Sequence, residues 1–299
     1  MMKINEAGSE EKNKKTVKIF GVKVTGTSVS IVLKVIGKKL LKKEKFLIVT
    51  PNPEIVLMAH KDQDLLRILN NAAISLIDGV GLIHARKFLS LPCPNNKFFR
   101  LAVLLFNGLR VGLATFLARN WLEEGFKVIK GKEMFITLLG LANKQGWRVV
   151  LLGDRLHSAQ RAQSVLEKSF KKVKIFSFDG PNLDKKGQPT TNEDARIEEK
   201  VIKEINTLKP HLLFVGFGAP KQEKWSARLI PELAVGGVMV LGRTFEWVSG
   251  RSKIAPAFLG KAGLEWLWRL LTGSTNVGRI WLAVVVFPLK VLHEKLAHH

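Results

Sequence analysis

Short, continuous apolar runs alternate with amphipathic stretches through the middle of the chain. They fall at Phe46–Thr50, Ala73–Ile77, Trp147–Leu152, Val173–Phe178, His211–Phe217 and Val235–Leu241. Runs this short, rich in Val, Ile, Leu and Phe, predict strands buried on both faces, as in a parallel sheet. Helical periodicity between them predicts helices from Pro53 to about Asn70 and over Ser158–Ser169, Asn192–Leu208 and Pro220–Leu229. Asn52 is placed to cap the first of these, with Pro53 at its first position. The alternation predicts an α/β fold with crossover connections.

Three regions break the rhythm. Residues 1–17 read as a polar, basic tail without the apolar stretch of a secretory signal. Residues 92–129 form an insert containing the apolar run Leu101–Trp121, interrupted by Asn107, Arg110 and Arg119. Residues 251–299 form an appendage with Trp266, Trp268 and Trp281, ending in the apolar run Ile280–Leu292. The core is then 18–250. Neither run reads as a clean transmembrane helix, because the first carries arginines and the second falls short of the roughly 20 residues a span needs. Each reads either as a basic, amphipathic membrane-surface segment or as a helix packed on the core, the first alternatively as a helical hairpin.

Charge sharpens this division. The 299 residues carry a formal net charge of +23. Residues 1–45 contribute +8, residues 86–132 contribute +7 and residues 247–299 contribute +5. A near-neutral core with basic additions suits an anionic partner: a nucleic acid, an anionic membrane or a phosphorylated substrate. The single cysteine excludes an internal disulfide and a Cys-based zinc site, and makes a reducing compartment the default.

Chemistry-bearing residues gather after the strands. Thr50-Pro-Asn-Pro-Glu54 follows the first, where open α/β sheets bind ligands, so Thr50 and Asn52 are candidate contacts. Asp78 follows the second, flanked by Gly79 and Gly81. It is a candidate general base, or else part of an ordinary Asp-Gly turn. Gly216-Phe-Gly218-Ala-Pro220-Lys221-Gln222-Glu223 opens a helix. Its glycines, helix N-terminus and Lys221 suit a phosphate or diphosphate. The spacing Gly79-x-Gly81-x-x-His84 is not a dinucleotide fingerprint. Asp62-Gln-Asp64 reads as a solvated helix face, and no metal site is expected.

Taken together and in this order, these blocks resemble the WecG/TagA/CpsF family of bacterial glycosyltransferases. The match runs through Thr50–Glu54, Ile77–Gly81, Val149–Gly153, Phe214–Glu223 with Trp225, Leu241–Gly250 and Gly263–Arg269. The resemblance implies a Rossmann-like α/β fold and inverting transfer of a sugar, N-acetylmannosamine or a related hexose, from a UDP-sugar. The implied acceptor is GlcNAc on a polyprenyl diphosphate, in teichoic acid or other cell-surface polysaccharide synthesis. The UDP-sugar is a substrate, and no cofactor or metal is implied. Asp78 matches the proposed base, Thr50, Asn52 and Gln222 match polar site residues, and Arg269 matches a C-terminal arginine that closes over the donor diphosphate. Gly216, Gly218, Pro220, Lys221, Glu223 and Gly242 would hold the UDP portion. A peripheral place on the cytoplasmic face of the plasma membrane follows, and a homo-oligomer is compatible.

Two departures stand out. Gly242-Arg243-Thr-Phe-Glu246 replaces the family's Gly-Gly/Ala-Thr-Phe-Asp, and Ile254-Ala-Pro256 replaces its Arg-Ala-Pro. They keep open a membrane-bound homologue that binds UDP without transferring sugar. A basic nucleic-acid-binding protein is the other alternative, although the sequence offers neither an RNA-binding aromatic signature nor a convincing helix-turn-helix.

Overall fold

The computed structural model describes residues 15–94, 96–251, 255–256, 259, 264–273 and 276–297, with the side chains of Lys15, Lys97, Glu265 and Arg269 left out. Most of the tail, together with Lys253, Ile254 and Gly263, lies outside the described residues. All six predicted strands form, as β3 (Phe46–Val49), β4 (Ile74–Ser75), β5 (Arg148–Gly153), β6 (Lys174–Asp179), β7 (Leu212–Val215) and β8 (Gly237–Val240). They make one six-stranded sheet in the order β4-β3-β8-β7-β5-β6. Each neighbouring pair runs parallel. The protein is therefore α/β and Rossmann-like.

The continuous apolar runs are explained by burial on both faces. Val150, Leu152, Leu213 and Val215 point into one core layer. Their neighbours Val149, Leu151, Leu212 and Phe214 point into the other. The first layer is covered by α2 (Pro53–Lys61), α3 (Gln63–Asn71), α4 (Val80–Ser90), α9 (Asn192–Leu208) and α10 (Lys221–Leu229). The second is covered by α1 (Val29–Leu41), α7 (Gly131–Gln145), α8 (Ser158–Ser169) and α11 (Thr244–Val248). In the second layer the Phe135 ring meets Phe214 edge-on at 4.8 Å.

Several expectations need correction. A hairpin, β1 (Lys15–Ile19) and β2 (Val22–Gly26), starts inside the predicted tail. Its turn uses Phe20 and Gly21, with φ of 48° and 81°. The helix predicted from Pro53 to about Asn70 is two helices, because Asp62 accepts a hydrogen bond from the Leu65 amide at 3.0 Å and restarts the chain as α3. Asp62 also receives the Lys224 ammonium of α10 at 2.6 Å, so it is not a solvated helix face. Burial opposes ionising Asp62, but the Lys224 and Leu65 hydrogen bonds outweigh it and hold the carboxyl below its ordinary value.

The insert is no helical hairpin. It is one long helix, α5 (Lys97–Leu117), followed by the short α6 (Arg119–Glu123). By length and composition alone, Phe98–Leu117 is long and apolar enough to cross a membrane. The appendage contributes α12 (Glu265–Leu271), α13 (Val277–Trp281), a π-helical stretch Leu282–Val286 and α14 (Phe287–Ala297). One stripe of α14, Phe287, Val291 and Lys295, is buried on the core. The Lys295 ammonium donates to the carbonyls of Phe88 and Leu91 at 2.5 and 2.6 Å, closing the C-terminal end of α4.

Candidate active site

Four of the six sheet strands, β3, β4, β7 and β8, are followed at their C-terminal ends by a predicted residue, and short-range contacts tie these four loops side by side. The Asp78 amide donates to the Pro51 carbonyl at 2.9 Å, joining the β4 rim to the β3 rim. Pro53 packs under Gly81, where a Cβ would come within 2.8 Å of its Cγ. Thr50, buried at the end of β3, directs its hydroxyl toward the Val240 carbonyl at 3.5 Å. That reaches the β8 rim, two residues before Gly242. Gln222 then joins β8 to β7: its Oε1 accepts from the Gly218 amide at 3.1 Å and the Gly242 amide at 3.0 Å. Asp78 and Gln222 thus mark the ends of a row of four strands, roughly 14 Å wide at ordinary strand spacing.

Within this row the predicted residues divide by role. Asp78 is half-buried and Gly79 beside it is exposed, with φ of 89°. Asn52 uses its Oδ1 to cap α2, accepting from the Ile55 amide at 2.9 Å. Its amide NH2 is the part left for a ligand. Gly216 is required by packing: a Cβ there would come within 2.8 Å of the Phe245 ring. Gly218 and Gly242 have φ of 79° and 55°, and a Cβ on either would meet nothing within 4 Å, so both leave open space.

The expected cradle of free glycine N–H groups does not form. The Gly216 amide donates to the Leu152 carbonyl, and those of Gly218 and Gly242 are taken by Gln222. Gln222 is itself 2% exposed, so its place is beneath the rim as a clamp between two loops. Glu223, expected to contact UDP, is fully buried behind it. Its Oε1 accepts from the Gln222 amide at 2.9 Å, while its Oε2 has no hydrogen-bond partner among the described residues. Burial pushes the Glu223 carboxyl up to about 7.

Pro220 and Lys221 sit half-buried at the start of α10. Lys221 faces the β6–α9 loop, where Asp184, held below its ordinary value first by the Gln188 amide, also feels its charge. The rest of α10 is fastened by Trp225, whose indole N–H donates to Glu198 at 3.0 Å, and by Arg228, which donates to the same carboxylate at 2.6 Å. Arg269 belongs to α12, but its side chain lies outside the described residues. The Arg243 and Glu246 substitutions answer each other, because Arg243 Nε donates to Glu246 at 2.7 Å. Its guanidinium is held against its own helix.

Three features escaped the sequence reading. Gly131 opens α7 directly against Thr50, where a Cβ would lie 2.9 Å from the Thr50 methyl. The glycine between Lys130 and Lys132, just ahead of a helical pattern, was the available signal. Arg279 of α13 grips Glu54 through Nε at 2.7 and 3.0 Å, fixing the appendage to the β3–α2 corner. Beside β6, Arg155, His157, Asp179 and Lys200 line a groove of about 590 Å³. Among the described residues, no three His, Cys, Asp or Glu side chains gather as metal ligands.

The family described as glycosyl transferase WecG/TagA/CpsF matches residues 17–107 and 108–299. Similar proteins include the N-acetylglucosaminyldiphosphoundecaprenol N-acetyl-beta-D-mannosaminyltransferases of Staphylococcus aureus strains NCTC 8325 / PS 47 and COL. Each is 26% identical over 248 residues, covering 83% of this chain and 80% of the relative.

Proposed function

The chain belongs to the glycosyl transferase WecG/TagA/CpsF family, and on that premise we propose that it moves N-acetylmannosamine from a UDP-sugar to the GlcNAc of a diphosphoundecaprenol lipid, with inversion at the sugar carbon. The acceptor and the sugar are those in the names of the Staphylococcus aureus relatives. The observation that carries the reading is the placement of Asp78: a half-buried carboxylate on the strand rim, joined through its amide to Pro51 and followed by an exposed glycine.

In this reading Asp78 accepts the proton of the acceptor hydroxyl as that oxygen attacks C1 from the face opposite UDP. The bond from C1 to the diphosphate oxygen breaks, and UDP leaves with the electron pair. Lys221 and Arg269 supply positive charge for the departing diphosphate. The open faces of Gly218 and Gly242 give the donor room to approach the backbone. Thr50 and the free amide of Asn52 orient the sugars, while Gln222 and Glu223 hold two of the loops in register. A role at the inner face of the plasma membrane follows from the lipid-borne acceptor and the basic charge. The pairing of Arg243 with Glu246 favours a working enzyme over a silent homologue, because the larger side chain is turned onto its own helix.

The test is a panel of UDP-sugars with a short-chain lipid-diphosphate-GlcNAc acceptor, reading UDP release and product mass. UDP-N-acetylmannosamine should give an acceptor heavier by one N-acetylhexosamine unit. Failure with every UDP-sugar on a folded protein would refute the proposal.

A further inference from the structure

We propose that α5 is the element that enters the lipid bilayer, and that it lies in the membrane plane instead of crossing it. The helix contains no Asp or Glu. Its apolar segment, Phe98–Leu117, has a mean hydropathy of 1.5, yet only 22% of its most apolar window is buried. Length and composition alone would allow a span.

Packing forbids one. Arg100, Leu104, Asn107, Val111 and Ala114, spaced 4, 3, 4 and 3 residues apart, form a buried stripe along most of the helix. Midway, Gly108 lies beside the Phe88 ring of α4, where a Cβ would be 3.9 Å away. Near its end, the Thr115 hydroxyl is hydrogen-bonded to His84 of α4 at 2.5 Å. A helix laid on a globular core over this length cannot also cross a bilayer.

The opposite face is left bare. Leu101, Leu105, Phe106, Leu109, Leu113 and Phe116 are between 49% and 65% exposed. A soluble monomer seldom leaves so continuous an apolar strip in water. Between α5 and α6 the strip deepens into a groove of about 350 Å³ that ends at Trp121. An exposed cation stands at that end: the Arg110 guanidinium lies 4.6 Å from the Trp121 rings, whereas Lys87, 4.3 Å from them, is buried and paired with Glu124. Apolar side chains on one face, with tryptophan and an arginine at the edge, match the boundary between acyl chains and anionic headgroups.

Charge also selects the occupant. A second copy docked on this strip would place two regions of net +7 against each other, which is repulsive. An anionic bilayer satisfies the strip and its arginine together. The appendage is the lesser contact: its stripe Phe287, Val291 and Lys295 is spent on the core, and its exposed apolar residues, such as Val277, Trp281 and Leu289, are spread over three short helical pieces and not one continuous strip. Orientation follows from α4, which starts at the site rim. His84, opposite the end of α5, lies four residues, roughly 6 Å, along a helix that begins two residues after Asp78. If the proposed reaction holds, a diphosphate at headgroup level is within reach of Asp78.

The experiment is flotation of the full-length protein with phosphatidylcholine vesicles, with and without phosphatidylglycerol. The wild type should float with the anionic vesicles. The variant Phe106→Ser/Leu109→Ser/Leu113→Ser should bind about 100-fold more weakly, and Trp281→Ser/Leu289→Ser should stay within about threefold of wild type. Nitroxide labels at Leu101→Cys, Leu109→Cys and Phe116→Cys, in a Cys93→Ser background, should report one common shallow depth. Undiminished flotation of the α5 variant, a depth that increases steadily along the helix, or labels that stay in water would overturn the proposal. So would a wild-type dimer that the α5 variant turns into monomer without any vesicle binding. Transfer to a water-soluble short-chain acceptor, measured in parallel, should survive in the α5 variant. If even the wild type transfers nothing, the proposed reaction fails while the flotation result stands independently.

Discussion

Replacing Glu223 with glutamine should make the protein more stable, but only where the native carboxyl resists ionisation. The native carboxyl is 1% exposed, holds one hydrogen bond from Gln222 and leaves Oε2 unpartnered. Burial raises its pKa from 4.5 to about 7. Below pH 4.5 the carboxyl is protonated in folded and unfolded chains alike, and no penalty exists. Between pH 4.5 and about 7 the unfolded chain releases its proton while the folded one keeps it, so stability falls as pH rises. Above 7 the loss is complete at about 3 kcal/mol. Glutamine keeps an oxygen for the Gln222 amide and never ionises. Urea denaturation followed by tryptophan fluorescence should find Glu223→Gln close to wild type at pH 4.5 and about 3 kcal/mol more stable at pH 8. An equal difference at both pH values would refute the account of this carboxyl.

Other consequences can be checked in the same way. His84 is held neutral by burial, with its pKa lowered to about 4, so its own contribution to stability should fall by up to about 3 kcal/mol as pH drops from 6.5 to 4, opposing the gain from Glu223 over the same range. The difference in Tm between His84→Gln and wild type should therefore shift in favour of the variant as pH falls from 6.5 to 4, and a difference that does not change with pH would count against it. Asp62→Asn removes the charge that meets the Lys224 ammonium, and because Asp62 is about one-third exposed the expected cost is about 1 kcal/mol in urea denaturation. Gly131→Ala places a methyl 2.9 Å from the Thr50 side chain, so it should lower kcat about tenfold or more with little change in Tm. A loss of Tm matching the loss of activity would instead mark Gly131 as purely structural.

Much of this fold was legible because a parallel sheet leaves a plain record. Strands such as β5 and β7 are buried on both faces, so Val149–Leu152 and Leu212–Val215 read as unbroken apolar runs. The hairpin β1–β2 was hidden by its lysines, which mimic the adjoining tail. The break at Asp62 is made by its local cap on the Leu65 amide, but its ion pair with Lys224, a residue 162 positions away, is something periodicity cannot report. The candidate site was legible as a set of strand-end blocks, and the structure places them along one rim. Their individual roles were not. Gln222 and Glu223 read as ligand contacts in sequence, yet the structure buries both and bonds Gln222 to the Gly218 and Gly242 amides. Burial depends on which helices cover the rim, and the motif itself carries no information about that. The apolar run of the insert was equally ambiguous, because a core stripe and a bare stripe have the same composition.

The central claim is that the strand-rim carboxylate at position 78 is the base of a sugar transfer. It is tested most directly by Asp78→Asn, assayed with UDP-N-acetylmannosamine and a short-chain lipid-diphosphate-GlcNAc acceptor, alongside a thermal melt and a UDP-binding isotherm. The variant should fold and bind UDP as the wild type does, while transfer falls by about 100-fold or more. Transfer at the wild-type rate would contradict the account.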